Sequence, residues 1–224
     1  KEKMSLFIVG QIASPVIFEK ALFFPYDLIL TSFPHFVPRF KKLGINCEYF
    51  RIGFEKTVLP KLKKLKKQFP VTFVGGFSRH HNNNLVFSAA TDVWGYGRVP
   101  ISNKSHGVAW GINMYNILYN SKITLNRHID AAEGHANNMR LFESTGVGTM
   151  LITDFKSDLC KLFTPGKEVE TYKTETELKR KIEYYLSHEK ERKAIALAGQ
   201  RRTLKDHTYK NRMIELDKVL RRYI

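Results

Sequence analysis

The chain of 224 residues is 43% hydrophobic and 26% charged, which provides enough apolar content for a buried core and excludes an intrinsically disordered protein. Its two cysteines, Cys47 and Cys160, lie far apart and form no CxxC pair, so we expect neither a disulfide framework nor a zinc knuckle. The sequence has no run of about 18 apolar residues and no recognisable signal peptide. We therefore expect a cytoplasmic protein.

The net charge of +16 predicts an anionic partner, which could be membrane lipid, nucleic acid or a phosphorylated substrate. The densest positive charge is the run KLKKLKK at residues 61–67. Apolar residues recur on one side of this segment, at Val58, Leu62, Leu65 and Phe69. The pattern predicts a basic amphipathic helix in residues 55–68, which either lies on the anionic inner face of a membrane or links two domains with its charged face in water.

Segments with the pattern of strands alternate with helical patterns along the chain. The predicted strands are residues 6–10, 27–31, 47–51, 71–74, 91–94, 122–126, 149–153 and 168–172. Between the second and third strands we expect a helix in residues 34–43, because proline suits a first helical turn and Lys42-Leu43-Gly44 is a typical helix end. Alternation of this kind indicates βαβ units and parallel sheets.

We therefore predict an α/β protein with two lobes that contain Rossmann-like, doubly wound parallel sheets. Because the first residue is Lys1 and a strand follows at once, we expect the first lobe, in residues 1–56, to be truncated. A linker helix in residues 57–70, a complete second lobe in residues 71–207 and a C-terminal helix in residues 208–224 are expected to follow. The helix is predicted from apolar residues at Tyr209, Met213, Leu216 and Leu220.

The segment NNMRLFESTGVGTMLIT, residues 137–153, predicts a short helix that leads into a buried strand. Asn137 and Asn138 are good N-caps, and Arg140 and Glu143 share one face of the helix. Since helical side chains lean towards the N-terminus, the Glu143 carboxylate is expected beside the unpaired amides of the first turn, which favour anions. Two interpretations follow: a diphosphate binds those amides while Glu143 accepts hydrogen bonds from a ribose, or Glu143 of an ordinary amphipathic helix faces water.

Three further segments place polar or aromatic residues after predicted strands, where open α/β sheets bind ligands. The sequence Gly75-Gly76-Phe77-Ser78 either brings backbone amides to a phosphate or only makes a tight turn. Tyr96 either contacts a base or covers the core. Asn126 and His128 either point into the cleft or are structural polar residues.

The sequences RLFESTGVGTMLITD (residues 140–154), YKTETELKRKIEYYL (172–186) and GQRRTLKDHTYKNR (199–212) resemble the C-terminal domain of GT-B glycosyltransferases of the CgeB-like branch. Residues 27–55 and 71–81 resemble the end of the first domain and the start of the second domain of that family. In the family, the acid of the pattern R-x-F-E-x-x-x-x-G contacts the nucleotide ribose. The resemblance therefore implies this role for Glu143.

The resemblance also implies other contacts with a nucleotide-sugar donor. A loop at residues 129–136 reaches the donor in related transferases, so His135 and Arg140 are candidate phosphate ligands, and for Arg140 an ion pair with Glu143 is the alternative. The donor-binding set that we predict is Gly76, Ser78, Tyr96, Asn126, His135, Asn137, Asn138, Met139, Arg140 and Glu143. The C-terminal helix is expected to cross back to the first domain.

The implied reaction transfers a sugar, of the hexosyl type, from a UDP-type donor to a hydroxyl of a glycan, a lipid-linked sugar or a protein. No metal or other cofactor is expected, because GT-B enzymes generally stabilise the leaving diphosphate with amides and side chains and no HExxH-type spacing occurs. The catalytic base would come from the truncated lobe and is not assigned. Binding of nucleotide without turnover is therefore one expectation for this fragment.

Two other classes of function stay open. Positive charge alone would suit a nucleic-acid-binding protein, but the sequence has no helix-turn-helix, zinc-finger or RNP-type signature, so nucleic acid is not the expected partner. The other class is a nucleotide-binding or scaffolding domain that keeps the fold without catalysis.

Overall fold

The computed structural model describes residues 7–12, 17–65, 68–78 and 83–224. These residues form two compact units: the described parts of Lys1–Ile52 together with Lys210–Ile224, and the described parts of Gly53–Tyr209. The domain boundaries predicted after residues 56, 70 and 207 stay predictions. Leu6 of the first predicted strand and residues 66–67 of the basic run lie outside the described residues.

The first unit contains a three-stranded parallel sheet. Its strands are β1 (Val9–Ile12), β2 (Leu28–Thr31) and β3 (Cys47–Tyr49), with β2 in the centre. A 3-10 helix (Lys20–Phe23) precedes β2, and helix α1 (Phe36–Lys42) connects β2 to β3. The C-terminal helix (Tyr209–Leu220) is also present, and its residues Leu216, Val219 and Leu220 pack against the side chains of Leu28 and Leu30.

A buried arginine fixes the C-terminal helix within the first unit. The side chain of Arg212 is completely buried, and its Nε donates to the backbone oxygen of Ile52 at 2.9 Å. Its Nη1 pairs with Glu215 at 2.8 Å, and Glu215 also pairs with Arg51 at 2.7 Å. Because a buried charge is costly without partners, these bonds hold the helix in one position.

The second unit contains a five-stranded sheet whose strands are all parallel. The strands are β4 (Phe69–Phe77), β5 (Asp92–Gly97), β6 (Ser121–Asn126), β7 (Met150–Asp154) and β8 (Glu170–Tyr172). The helices are α2 (Asn84–Ala89), α3 (Gly111–Tyr119), α4 (Met139–Gly146), α5 (Glu175–Ser187) and α6 (Glu189–Asp206). Shorter 3-10 helices lie at Lys56–Lys61, Asp130–Ala132 and Leu159–Lys161.

Helices cover both faces of this sheet. Val71 and Phe73 of β4 belong to a buried cluster with Val86 of α2 and Leu178 of α5. Helix α3 contacts β4 and β6, helix α4 contacts β6 and β7, and the two helices pack against each other. Since side chains of a strand alternate between the two faces, the helices of each face cover alternate residues. The predicted doubly wound α/β fold is therefore confirmed.

The strand order β5-β4-β6-β7-β8 creates a crevice at the carboxyl ends of the strands. The chain leaves β4 towards β5 on one side, whereas β6 is followed by β7 on the other side. The connections therefore diverge between β4 and β6, and ligands of doubly wound sheets bind at the carboxyl ends of the strands at this switch point.

All eight predicted strands are present, with ends that differ by up to three residues. The largest functional difference concerns Gly75 and Gly76, which we predicted to form a turn after a strand. They lie inside β4, where they pair with Gly95 and Tyr96 of β5. A Cβ atom on Gly76 would lie 2.7 Å from the ring of Tyr96, so the glycine allows the close approach of an aromatic side chain instead of a turn.

The amphipathic helix predicted in residues 55–68, and with it the linker helix predicted in residues 57–70, is wrong. Lys56–Lys61 form a 3-10 helix with Pro60 inside it, residues 62–65 are not helical, and β4 already begins at Phe69. Proline has no backbone N–H and its ring clashes with the preceding helical turn, so it disfavours a longer α-helix at this point.

Asn116 of α3 and Asn120, the C-cap of that helix, provide the second reason why this segment is not helical. Asn116 accepts a hydrogen bond from the backbone N–H of Lys63 at 2.7 Å, and Asn120 accepts one from Leu65 at 2.7 Å. The side-chain amide of Asn120 also donates to the backbone oxygen of Lys63 at 2.8 Å. These tertiary bonds satisfy backbone groups that a helix would pair internally, and they override the sequence pattern.

We expect the substitution Gly199→Ala to destabilise the second unit. Gly199 of α6 packs so closely that a Cβ atom would overlap the backbone oxygen of Glu168 and lie 3.3 Å from the side chain of Thr145. Overpacking of this kind should lower the free energy of unfolding by about 1–3 kcal/mol, measured by chemical denaturation. Gly134→Ala is the matched control, because its new Cβ would meet only Ser157 Oγ at 3.5 Å, and an equal loss in both variants would contradict the packing.

Candidate functional site

A cavity of about 440 Å³ lies at the switch point of the second unit. Residues 73–76 of β4 and Asn126 of β6 line it from the sheet, and Asn138, Met139, Arg140 and Glu143 line it from the start of α4. The other lining residues come from β5, from α3 and from the segments that connect the elements: Tyr96, Gly111, Met114, Tyr115, Asn83, Trp110, Arg127 and Ile129. The cavity therefore combines a helix N-terminus with the carboxyl ends of two parallel strands.

A chain of side-chain hydrogen bonds positions the N-terminus of α4. Asn138 is the N-cap, as predicted, and its Oδ1 accepts from the backbone N–H of Leu141 at 3.3 Å. Its Nδ2 donates to Oδ1 of Asn126 at 2.7 Å, and Asn126 Nδ2 donates to the hydroxyl of Thr153 at 2.9 Å. The first turn of α4 is thereby attached to the ends of β6 and β7.

Arg140 and Glu143 form an ion pair inside the cavity wall. Arg140 Nη1 lies 2.7 Å from Glu143 Oε2, and the two side chains are only 13% and 6% exposed. Arg140 Nε also donates to the backbone oxygen of Val74 at 3.2 Å. The alternative in which Glu143 faces water is therefore wrong, whereas the ion pair considered for Arg140 is present.

Tyrosines complete the surroundings of Glu143. Burial raises the pKa of Tyr115, and the charge of Glu143 and a hydrogen bond to it raise it further. Tyr115 therefore stays protonated at neutral pH, with its hydroxyl beside the carboxylate of Glu143. Burial and the charge of Glu143 raise the pKa of Tyr209 as well.

An aromatic pair forms the opposite wall of the cavity. The rings of Tyr96 and Trp110 lie 5.2 Å apart at an angle of 32°, and the two residues are 47% and 62% exposed. Exposed aromatic faces at a cavity mouth provide a surface on which a planar ring can stack. Of the two alternatives for Tyr96, the one in which it covers the core is therefore wrong.

The structure brings most of the predicted donor-binding residues together. Those that line the cavity are Gly76, Tyr96, Asn126, Asn138, Met139, Arg140 and Glu143. Asn137 is buried next to the N-cap, Ser78 is exposed, and neither lines the cavity. His135 also lies outside the lining, and its Nδ1 is 2.8 Å from Asp158 Oδ2. The roles of all ten as donor contacts stay predictions.

Several lining residues were missed by the sequence analysis. Trp110 and Tyr115 have no neighbouring motif, since they come from the segment that leads into α3 and from α3 itself. Asn83 is buried and donates to the backbone oxygen of Gly76 at 2.6 Å. Only Asn83 carried a sequence signal, because an asparagine just before a helix is a typical N-cap.

His128, the other polar residue predicted near the cleft, is structural. Its backbone N–H and its Nδ1 donate to Asp154 Oδ1 at 3.0 and 2.7 Å. Asp154 lies at the end of β7 and also pairs with Lys156 at 3.5 Å. The pair therefore joins the ends of β6 and β7.

Residues 56–218 match the sequence profile of a family described as glycosyl transferase-like, which is well over half of the chain. The chain belongs to the glycosyl transferase-like family. A comparison with curated protein sequences finds no significant match.

Solved structures of glycosyltransferases share the fold of this family member. Sucrose-phosphate synthase from Thermosynechococcus elongatus superposes with a TM-score of 0.65 at 12% identity, over 91% of this chain and 60% of that chain. HepE from Anabaena, in complex with UDP and glucose, superposes with a TM-score of 0.64 at 11% identity, over 87% and 63%. A glycosyltransferase from Rickettsia africae gives 0.64 at 11% identity, over 96% and 70%.

These likenesses show the Rossmann-like α/β fold of GT-B glycosyltransferases, as predicted, whereas membership of the CgeB-like branch stays a prediction. The chain spans only about 60% of the length of the first two structures. None of the helices in the part of the chain that the structure describes has the length and hydropathy that a membrane span requires.

We expect Asn138→Ala to weaken the start of α4. The variant loses the N-cap and the bond to Asn126, which should lower the free energy of unfolding by about 1–2 kcal/mol in chemical denaturation. Asn138→Ser is the matched control, since serine keeps a capping oxygen and should lose less. Equal stability of the alanine variant and the wild type would show that the cap is unimportant.

We expect Asp154→Asn to destabilise the unit in a pH-dependent way. Burial alone would raise the pKa of Asp154, but the hydrogen bonds and charge of His128 and the charge of Lys156 hold it below its ordinary value. The carboxylate therefore contributes stability above the unfolded pKa of about 3.9 and loses it as the pH falls through the lower folded pKa.

The variant should lose about 1–3 kcal/mol at neutral pH, because the charged acceptor of three hydrogen bonds, two from His128 and one from Thr153, becomes neutral. Denaturation as a function of pH should show this difference shrinking below about pH 4. Asp130→Asn changes the net charge equally at an exposed position and serves as control. A difference that is constant at all pH values would contradict the assignment.

Proposed function

We propose that the second unit binds a UDP-type nucleotide sugar and that the chain acts in a glycosyltransferase that moves the sugar to an acceptor hydroxyl. The observation that carries this proposal is the buried Glu143, which lines the switch-point cavity from the second turn of α4. Membership of a glycosyl transferase-like family supports it. The likeness to HepE, which was crystallised with UDP and glucose, is consistent with a UDP-type donor.

In this proposal the ribose lies against Glu143. A carboxylate has about four acceptor sites, so the ion pair with Arg140 leaves capacity for the two ribose hydroxyls. Tyr115 lines the same cavity and lies near this carboxylate. A carboxylate in this position favours a sugar diol and disfavours a phosphate at the same place.

The diphosphate is proposed to bind the first turn of α4. The amides of Met139 and Arg140 precede the first intrahelical hydrogen bonds, and the positive end of the helix dipole adds to their attraction for an anion. The guanidinium groups of Arg140 and Arg127 line the same cavity. Together these groups can stabilise the charge that develops on the leaving diphosphate.

The base is proposed to stack on the aromatic pair of Tyr96 and Trp110. Their exposed rings stand at the mouth of the cavity. Stacking on an aromatic side chain contributes about 1–3 kcal/mol per base and discriminates weakly between bases. The donor base is therefore proposed from the likeness to HepE and not from hydrogen bonds.

We propose that transfer needs no metal, since amides and arginines can neutralise the diphosphate. In the described part of the chain, no group of three or more His, Cys, Asp or Glu side chains is arranged to hold a metal ion. The acceptor is proposed to be a glycan, a lipid-linked sugar or a protein, and the transferred group a hexose. A catalytic base is not assigned, so binding without turnover stays the alternative.

A cytoplasmic location is proposed for the chain. Cys47 and Cys160 are free thiols, as expected in a reducing compartment. Peripheral attachment to the inner face of a membrane no longer has the predicted amphipathic helix as support, and only the high positive charge favours it.

We expect calorimetric titration in the presence of EDTA to show saturable binding of UDP and weaker binding of GDP and dTDP. Glu143→Ala should lose about 1.5–3 kcal/mol of binding free energy per charge-assisted hydrogen bond to the ribose. Glu143→Gln keeps the size of the side chain and should show a smaller loss. Glu183→Ala on the exposed face of α5 is the matched control and should bind like the wild type.

Unchanged affinity in Glu143→Ala would show that the carboxylate does not contact the nucleotide. Binding of short DNA or RNA but of none of the three nucleotides would favour the nucleic-acid alternative. If the folded wild-type chain and the Glu183→Ala control bind neither the nucleotides nor the nucleic acids, the donor assignment is overturned.

A further inference from the structure

Another cavity, of about 360 Å³, lies at the amino ends of the strands of the five-stranded sheet, and we call it the amino-edge cavity. It is lined by Ser121 and Lys122 at the start of β6 and by Thr149 and Met150 at the start of β7. The switch-point cavity lies at the carboxyl ends of β4, β5 and β6, so the length of strand β6 separates the two cavities.

Positive charge dominates this amino-edge cavity. Its charged lining side chains are Lys64, Lys122, Arg192, Lys193 and Glu189, four cations and one carboxylate. Glu189 pairs with Lys193 at 2.5 Å. The hydrogen bond from Lys193 lowers the pKa of Glu189 most, and the charges of Arg192 and Lys122 lower it further. The excess of three positive charges is not neutralised within the lining.

Arg192 makes the cavity a built site and not only a charged surface. It is only 5% exposed, yet it lines the cavity. Within the described residues its hydrogen bonds engage Nη1 alone, which donates to the backbone oxygens of Tyr185 and Leu186 at 2.7 and 3.4 Å. These bonds fix the guanidinium at the end of α5, and the N–H groups of Nε and Nη2 keep their capacity for an acceptor.

The hydrogen bonds of Asn116 and Asn120 bring Lys64 to the same cavity. Asn120 is 2% exposed and holds the backbone on both sides of Lys64, by accepting from Leu65 and donating to Lys63. Residues 62–65 are thus held in a non-helical form, and Lys64 lines the cavity together with the start of β6.

We propose that the amino-edge cavity binds a phosphate-bearing anion. Arg192 would supply a fixed guanidinium whose N–H groups match phosphate oxygens, and Lys64, Lys122 and Lys193 would supply mobile ammonium groups around it. The volume exceeds that of a single phosphate, so it accommodates a phosphomonoester or the headgroup of an anionic lipid. The site is independent of the proposed donor site, whose residues lie at the opposite edge.

The test is titration of the whole chain with inorganic pyrophosphate at low salt, with the protein saturated with UDP so that the donor site is occupied. The double variant Lys122→Gln/Lys193→Gln should bind pyrophosphate about tenfold more weakly, because it removes two exposed cations that each attract the anion modestly. Glu189→Gln removes the one carboxylate and should bind more tightly. Lys190 lies on the same helix as Lys193 but outside the cavity lining, so Lys190→Gln is the control for loss of a positive charge outside the cavity.

A parallel flotation assay with phosphatidylglycerol vesicles, compared with phosphatidylcholine vesicles, identifies the source of the phosphate. Loss of flotation in the double variant but not in Lys190→Gln would support a lipid headgroup, and an effect on pyrophosphate alone would support a soluble ligand. Equal behaviour of the double variant and the wild type in both assays, or an equal loss in Lys190→Gln, would overturn the proposal. If UDP does not bind, the donor proposal fails, but the comparison of these variants still tests the amino-edge cavity.

Discussion

The ion pair between Arg140 and Glu143 is the interaction on which the candidate site depends. One guanidinium reaches Glu143 on its own helix and the backbone oxygen of Val74 on β4, so it joins α4 to the first strand of the sheet. Removing one partner of a buried pair leaves an uncompensated charge and costs about 3–5 kcal/mol, which makes the relative position of helix and strand well defined. The cavity between them therefore has a fixed acceptor group, and this is the property that a site for a sugar diol requires.

Much of the second unit could be predicted from its sequence because its signals are local. Buried parallel strands such as β7 are continuous apolar runs, and Leu178, Ile182 and Tyr185 recur at helical spacing and are all buried in α5. The basic run was misassigned because its conformation depends on Asn116 and Asn120, which are more than fifty residues away. A periodic pattern cannot reveal hydrogen bonds of that kind.

The difference between local signals and contacts across long sequence separations also divides the site into residues that were predicted and residues that were not. Arg140 and Glu143 are three residues apart, so their common face follows from helix geometry alone, and Asn138 precedes them as the N-cap. Trp110 and Tyr115 reach the cavity only because α3 packs beside α4, and nothing in their neighbourhood marks them. His135 was expected to meet a phosphate, but its loop turns it to Asp158 at 2.8 Å through a backbone with positive φ at Glu133.

The measurement that tests the account most directly is a thermodynamic cycle of binding affinities, in which Glu143 and the ribose hydroxyls are removed separately and together. The affinities of the wild type and of Glu143→Ala are measured for UDP and for a UDP analogue that lacks both ribose hydroxyls. If the carboxylate accepts the ribose hydroxyls, deleting them costs the wild type about 1.5–3 kcal/mol per bond and costs Glu143→Ala little. An equal loss in both proteins would contradict the account, because the ribose would then be recognised by groups other than Glu143.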